Sequence, residues 1–294
     1  MIRSPLYQYS IIITTFIKKI DKLVKNLLIS VIILAVITTI LWLFLFGKLF
    51  PYSPIHMGFE KNKLENIIIY SQKGSESQGI TGTDTLIAGV EKFHNLEFKS
   101  KPELFIFRDS KSYIRHSPSK ARFCTFPNSK IFITPWALSE ALNDKISLEI
   151  YLKHELSHSL IFQHTGIIGA LKYPDWLLEG LAVYSSNQMG TSSYPDKAKT
   201  YSLIASGNFM PPAVYKTRKE DDVRLDVPQR ISFIYSEFAC IVDYLVTKYG
   251  KDKFICYMKI LLADQNNDKV FKEVYGIEFE SYLADFRKLI SQQN

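Results

Sequence analysis

The residues of this chain best suited to chemistry are His154-Glu155-Leu156-Ser157-His158, an H-E-x-x-H pattern. On a helix, positions four apart lie one turn apart and about 40° round, so both imidazoles face one way. Two such side chains suit a divalent ion of borderline softness, with zinc the default. Glu155 beside them is placed to take a proton from a metal-activated water, not to bind the ion. The helix that must carry these groups is legible in its flanks. Ile146, Leu148, Ile150, Leu152, Leu156, Leu160 and Ile161 form a dense apolar pattern without Gly or Pro, which predicts a largely buried helix over Ile146 to His164. Asn143 and Asp144 are expected to cap its start and Thr165-Gly166 to end it. The bland alternative, a helix with two surface histidines, is opposed by those apolar flanks, because an unpartnered imidazole is costly there.

A zinc hydrolase site needs a third protein ligand and one open position. Two residues compete. Glu179 lies in Pro174-Asp175-Trp176-Leu177-Leu178-Glu179-Gly180-Leu181-Ala182, where Pro174-Asp175 reads as a helix start. The run from Trp176 to Tyr184 is apolar except for Glu179, and a carboxylate in such a helix calls for a positive partner. His164 has the spacing of the longer H-E-x-x-H-x-x-G-x-x-H pattern. Ile161 stands where that pattern has the Gly that lets the chain leave the helix. If the helix continues, His164 lies about 9 Å further along the axis than His158 and about 120° round from it. Glu179 is therefore preferred.

Together, H-E-L-S-H and W-L-L-E-G-L-A resemble the gluzincin metallopeptidases. They look closest to the peptidase MA-like group, marked by H-E-x-x-H followed by W-x-x-E-G-x-A. The resemblance covers about Leu96 to Ile290. It implies an α+β, zincin-like domain: a small mixed sheet plus the active-site helix, then a helical C-terminal part. It also implies one zinc ion held by His154, His158 and Glu179, Glu155 as general base, and a peptide or protein substrate. In zincins an edge strand lies over the cleft, and Lys130 to Thr134 is the expected strand, pairing with extended substrate. Tyr235, in Tyr235-Ser236-Glu237-Phe238, lies 56 positions after Glu179. In related gluzincins a Tyr roughly that far downstream points its hydroxyl at the metal site, where it could donate to the oxyanion, although a core aromatic is the commoner fate of such a residue. Three other readings remain: a metzincin-like site using His164, a metal-stabilised adaptor that binds peptides without cutting them, and a tethered scaffold in which the membrane segment matters most.

The elements around the site follow. Leu27 to Phe46 holds twenty residues without a charge, enough helix to span about 30 Å of hydrocarbon. A cleaved signal peptide fits less well, since the leader is long and no small-x-small site follows Phe46. Arg3, Lys18, Lys19, Lys22 and Lys25 precede the segment against Asp21 alone, so the positive-inside rule puts the N-terminus in the cytoplasm and the catalytic part outside it. Of the net charge of +7, the first fifty residues carry +5. The basic balance is thus a membrane-flank effect and gives no reason to expect nucleic acid. Ser10 to Ile20 is expected to lie along the inner surface as an interfacial helix. The expected layout is a cytoplasmic segment 1–26, a transmembrane helix 27–46, a linker 47–63 and the peptidase domain 64–294.

Within that domain, Leu64 to Tyr70 is open between helix and strand, Ser71 to Thr83 reads as a loop, and Thr85 to His94 as a helix. Glu103 to Arg108 reads as a strand, and Phe123 to Thr134 as two strands turning at Pro127-Asn128. Met189 to Arg230, with one helical stretch at Lys197 to Ala205, reads as a packed cover beside the site. Helices are expected over Ile231 to Tyr249, Asp252 to Leu262, Lys269 to Val274 and Glu278 to Ile290. Cys124, Cys240 and Cys256 are an odd count; Cys240 and Cys256 are expected as buried free thiols, with a bridge between them as the alternative.

Overall fold

A computed structural model describes residues 5–75, 80 and 82–293. Arg3, and residues 76–79 and 81 of the expected loop, lie outside the described residues. The chain divides into two units, residues 1–57 with 115–118 and residues 58–114 with 119–294.

The first unit is dominated by helix α1 (Pro5–Phe46). Its stretch Lys18–Phe46 is 29 residues long, and it is the one helix among the described residues long and apolar enough to cross a membrane; a signal sequence near the N-terminus has the same character. The separate interfacial helix expected over Ser10 to Ile20 does not form. No Gly or Pro breaks the chain between Leu6 and Phe46, so helix runs through it uninterrupted. Beyond α1, Phe50 packs edge-on against the His56 and His116 rings, centroids 5.9 and 4.7 Å away.

The second unit is α+β, mostly helical with a five-stranded mixed sheet. Its strands are β1 (Phe59–Lys63), β2 (Ile68–Gln72), β3 (Glu103–Ile106), β4 (Phe123–Thr125) and β5 (Lys130–Ile133), in the order β1-β2-β3-β5-β4. β1 uses residues assigned above to the linker. β2, β3 and β5 run parallel, with β1 and β4 antiparallel at the two edges. The β4–β5 hairpin forms as its turn signal predicts. The edge does not: Lys130 to Thr134 was expected there, but β5 pairs on both sides, Leu104 with Ile131 and Cys124 with Phe132. Ile131, Phe132 and Ile133 are fully buried, which suits an interior strand, and the edge strand on this side of the sheet is β4.

The motif helix α5 (Leu148–Ala170) lies between two apolar cores. Leu152, Leu156 and Leu160, four apart, join the core under the sheet with α2 (Leu86–His94) and α4 (Pro135–Leu142). Ile161 and Phe162 join the core of the C-terminal helices. Its N-cap is Ser147, whose hydroxyl accepts from the Ile150 N–H, not Asn143 or Asp144. Those two instead close α4, with Asp144 in the left-handed region at φ 56°. Helical conformation breaks at Gly166, φ 66° and ψ 176°, where the sequence expected an end, and one further turn follows.

The second motif forms α6 (Asp175–Ser186), after α5 and a short turn. α6 packs on α8 (Arg230–Tyr249) at Gly180, where an added Cβ would lie 2.6 Å from the Phe238 carbonyl oxygen. Only Gly permits that approach. α7 (Lys197–Ala205), α9 (Lys251–Ala263), α10 (Asn267–Tyr275) and α11 (Phe279–Gln293) complete the helical part. All three cysteines are free. Cys240 is buried as expected, whereas Cys256 is exposed, because it falls on the outer face of α9.

Candidate metal centre

His154 and His158 project from the face of α5 opposite the Leu156 stripe, and Glu179 comes from the first turns of α6. His154 Nε2 and His158 Nε2 are 3.0 Å apart, and Glu179 Oε2 lies 3.6 and 3.4 Å from them. All three residues are buried. Gln188, just past the end of α6, accepts from His154 Nδ1–H at 2.8 Å, which turns the Nε2 lone pair inward. Lone pairs of this kind repel at such separations unless a proton or a cation lies between them. Ligand bonds of about 2.05 Å in a tetrahedron put neighbouring donor atoms about 3.3 Å apart. The observed triangle matches that spacing, and the donor set of two imidazoles and one carboxylate suits zinc.

Electrostatics point the same way. Burial alone would push the Glu179 carboxyl up, but His158, His154 and Lys216 hold it well below the usual carboxylate range. Burial likewise disfavours a proton on His154, yet the Glu179 and Glu155 carboxylates raise its basicity overall. The pocket therefore favours positive charge between the three side chains.

Glu155 is buried beside the triangle, and its Oε2 accepts from the Thr125 hydroxyl at 2.7 Å. Thr125 belongs to the open edge strand β4. His154, Glu155, His158, Glu179, Thr125 and Tyr235 all line one cleft of about 840 Å³. Tyr235, on α8, lies near parallel to the His154 ring with centroids 6.3 Å apart, and its hydroxyl accepts from Tyr215 at 3.3 Å. The residues expected in the site are thus brought together. His164 is not among them: its Nε2 meets the Glu97 carbonyl at 2.8 Å, away from this cleft, because α5 stays helical through Ile161. The metzincin-like alternative has no third ligand here.

Sequence reasoning missed Thr125, Gln188, Tyr215 and Lys216. It also missed His94, fully buried on α2, which holds Ser157 of the motif at 2.8 Å. None carries a local signal, since each partner lies 20 or more positions away. The expected cover was the nearest pointer, for Tyr215 and Lys216 both come from it.

No family model matches the chain, and no curated protein sequence matches it. Among solved structures, yeast LTA4 hydrolase in complex with Bestatin is similar, with a TM-score of 0.43 and 15% identity over 76% of this chain. The matched part spans 37% of that protein's length. A likeness so distant assigns no activity, and the chemistry below rests on the site's own geometry.

Proposed function

We propose that this chain is a membrane-anchored, zinc-dependent metallopeptidase. The observation that carries the reading is the convergence of His154 Nε2, His158 Nε2 and Glu179 Oε2 within 3.6 Å of one another, with Glu155 beside them in the same cleft. His154, His158 and Glu179 would hold the ion. Zinc supplies Lewis acidity: it polarises a carbonyl and lowers the pKa of water. Glu155 accepts a proton from water in the cleft and passes it to the leaving amine. Thr125 orients Glu155 by donating to Oε2. Tyr235 accepts a hydrogen bond from the Tyr215 hydroxyl and so keeps its own O–H to donate to the substrate carbonyl oxygen as charge develops there. β4 offers an unpaired edge along the cleft, on which an extended peptide can add as a strand. α1 is read as the anchor, with the N-terminus cytoplasmic and the peptidase unit outside.

The test is a pair of variants in the full chain, with zinc measured by elemental analysis and cleavage by a fluorogenic peptide library. Glu155→Gln is expected to keep one zinc per chain and lose cleavage by about 10²–10⁴-fold. Glu179→Ala is expected to lose the zinc. A Glu155→Gln protein that still cleaves, or a parent that takes up no zinc, overturns the reading.

A further inference from the structure

Glu179 turns its two oxygens toward different partners. Oε2 faces the histidines, whereas Oε1 accepts from Lys216 Nζ at 3.3 Å. The same ammonium donates to Asp175 Oδ1, one turn earlier on α6, at 2.9 Å. Lys216 comes from the long segment between α7 and α8, and its backbone sits in the left-handed region at φ 56°. That conformation is costly for a residue with a side chain. It is held by the Lys216 N–H, which donates to Glu220 Oε2 at 2.8 Å. Its neighbour Tyr215 makes the contact to Tyr235 described above, so two adjacent residues of one segment reach both sides of the site.

We propose that Lys216 is a positioning residue that fixes Glu179 as a one-oxygen metal ligand. The inference rests on the metal site of the proposed function. The last torsion of a Glu side chain is broad and nearly two-fold, so the helix alone does not decide how the carboxylate is turned. A direct charge-assisted hydrogen bond decides it: the Lys216 side chain is 43% exposed, but it donates to a carboxylate that is only 9% exposed. A lone ammonium beside a metal ion would also repel it. Asp175 neutralises that ammonium, so the pair orients Glu179 without adding net positive charge. With Oε1 engaged, Glu179 cannot close on the ion with both oxygens. The coordination position it would have filled stays open for substrate and water.

The experiment uses the full chain in detergent micelles, loaded with zinc or cobalt(II). Zinc affinity is measured by competition with a chromophoric chelator. K216M is expected to bind zinc about 10-fold or more weakly, as loss of a ligand's supporting hydrogen bond does elsewhere. K216R is expected to restore affinity to within about threefold, since its fork can still bridge Asp175 and Glu179. Cobalt(II) supplies a readout that a merely structural role would not move. Its visible d–d band is intense in four-coordinate sites, and it should weaken in K216M as the freed Oε1 closes on the ion. D175N, altered on the helix and not in the loop, should shift zinc affinity in the same direction even if K216M folds poorly. A K216M protein with parental or tighter zinc affinity overturns the proposal. So does weaker affinity with an unchanged cobalt spectrum. In either case the parent still binds metal, and the proposed function stands. A parent that binds neither ion overturns both.

Discussion

Two buried groups outside the cleft make the unit's stability depend on pH from opposite ends. His94 donates Nδ1–H to the Val90 carbonyl and accepts from Ser157, so it is held neutral. Burial lowers its pKa to about 4. The unfolded chain takes up the proton first as pH falls. The stability His94 contributes is therefore complete above about pH 6.5 and is lost as pH falls toward 4, a change of about 3 kcal/mol. His94→Gln should flatten the unfolding free energy across that window in denaturant melts at stepped pH. Glu237 behaves oppositely. Burial pushes its carboxyl well above the usual range, though the Met210 N–H and Arg287 oppose this. Its contribution is complete below about pH 4.5 and is lost as pH rises through the raised value. Glu237→Gln, which still accepts from Met210, should raise the Tm at pH 8 and leave it nearly unchanged at pH 4. Had either residue been free to ionise normally, its variant would leave the pH profile as it was.

At the scale of elements, the site depends on how closely three helices approach. α5 delivers the histidines, α6 the carboxylate and α8 the tyrosine. The α6–α8 contact is set at Gly180. Gly180→Ala places a methyl against the Phe238 carbonyl, so the helices must separate. We expect a loss of about 1–3 kcal/mol together with weaker zinc binding, because Glu179 is the adjacent residue. Unchanged chemical denaturation with parental zinc affinity would show that the helices can part without moving the ligand. Ser147→Ala removes the cap of α5 and should cost about 1 kcal/mol in the same denaturation series, with zinc content retained, since the histidines lie two or more turns further on.

At the scale of the molecule, α1 leaves large aliphatic side chains such as Leu27, Leu34 and Leu41 exposed, more apolar surface than a soluble chain carries without a partner. The anchor reading expects the full chain to stay in the membrane pellet through alkaline carbonate extraction. Orientation is open to a direct check through Cys256, the exposed thiol of the second unit. On intact cells, an impermeant maleimide should label the parent and not Cys256→Ser. Labelling only after the membrane is broken would reverse the assigned orientation.

The two motifs, the apolar span and the run of C-terminal helices were legible because each is local: ligand spacing, length and periodicity repeat within one or two turns. His154, Glu155 and His158 needed only a helix, and Glu179 needed only the absence of any other reason for a carboxylate among Trp176, Leu178 and Leu181. Two of the places where the sequence misled were contests between neighbours. Ser147 capped α5 because Asn143 and Asp144 were already used to close α4. β5 became interior because β4 folded back onto its free side. Only the tertiary structure decided that His164 turns to Glu97, that Thr125 reaches Glu155 from the sheet edge, and that Lys216 meets Glu179 across 37 positions. Sequence alone thus determined which groups are available and on what element. Which of them meet was decided by packing, because contacts between distant segments depend on where the two cores place their helices and leave no periodic trace in the chain.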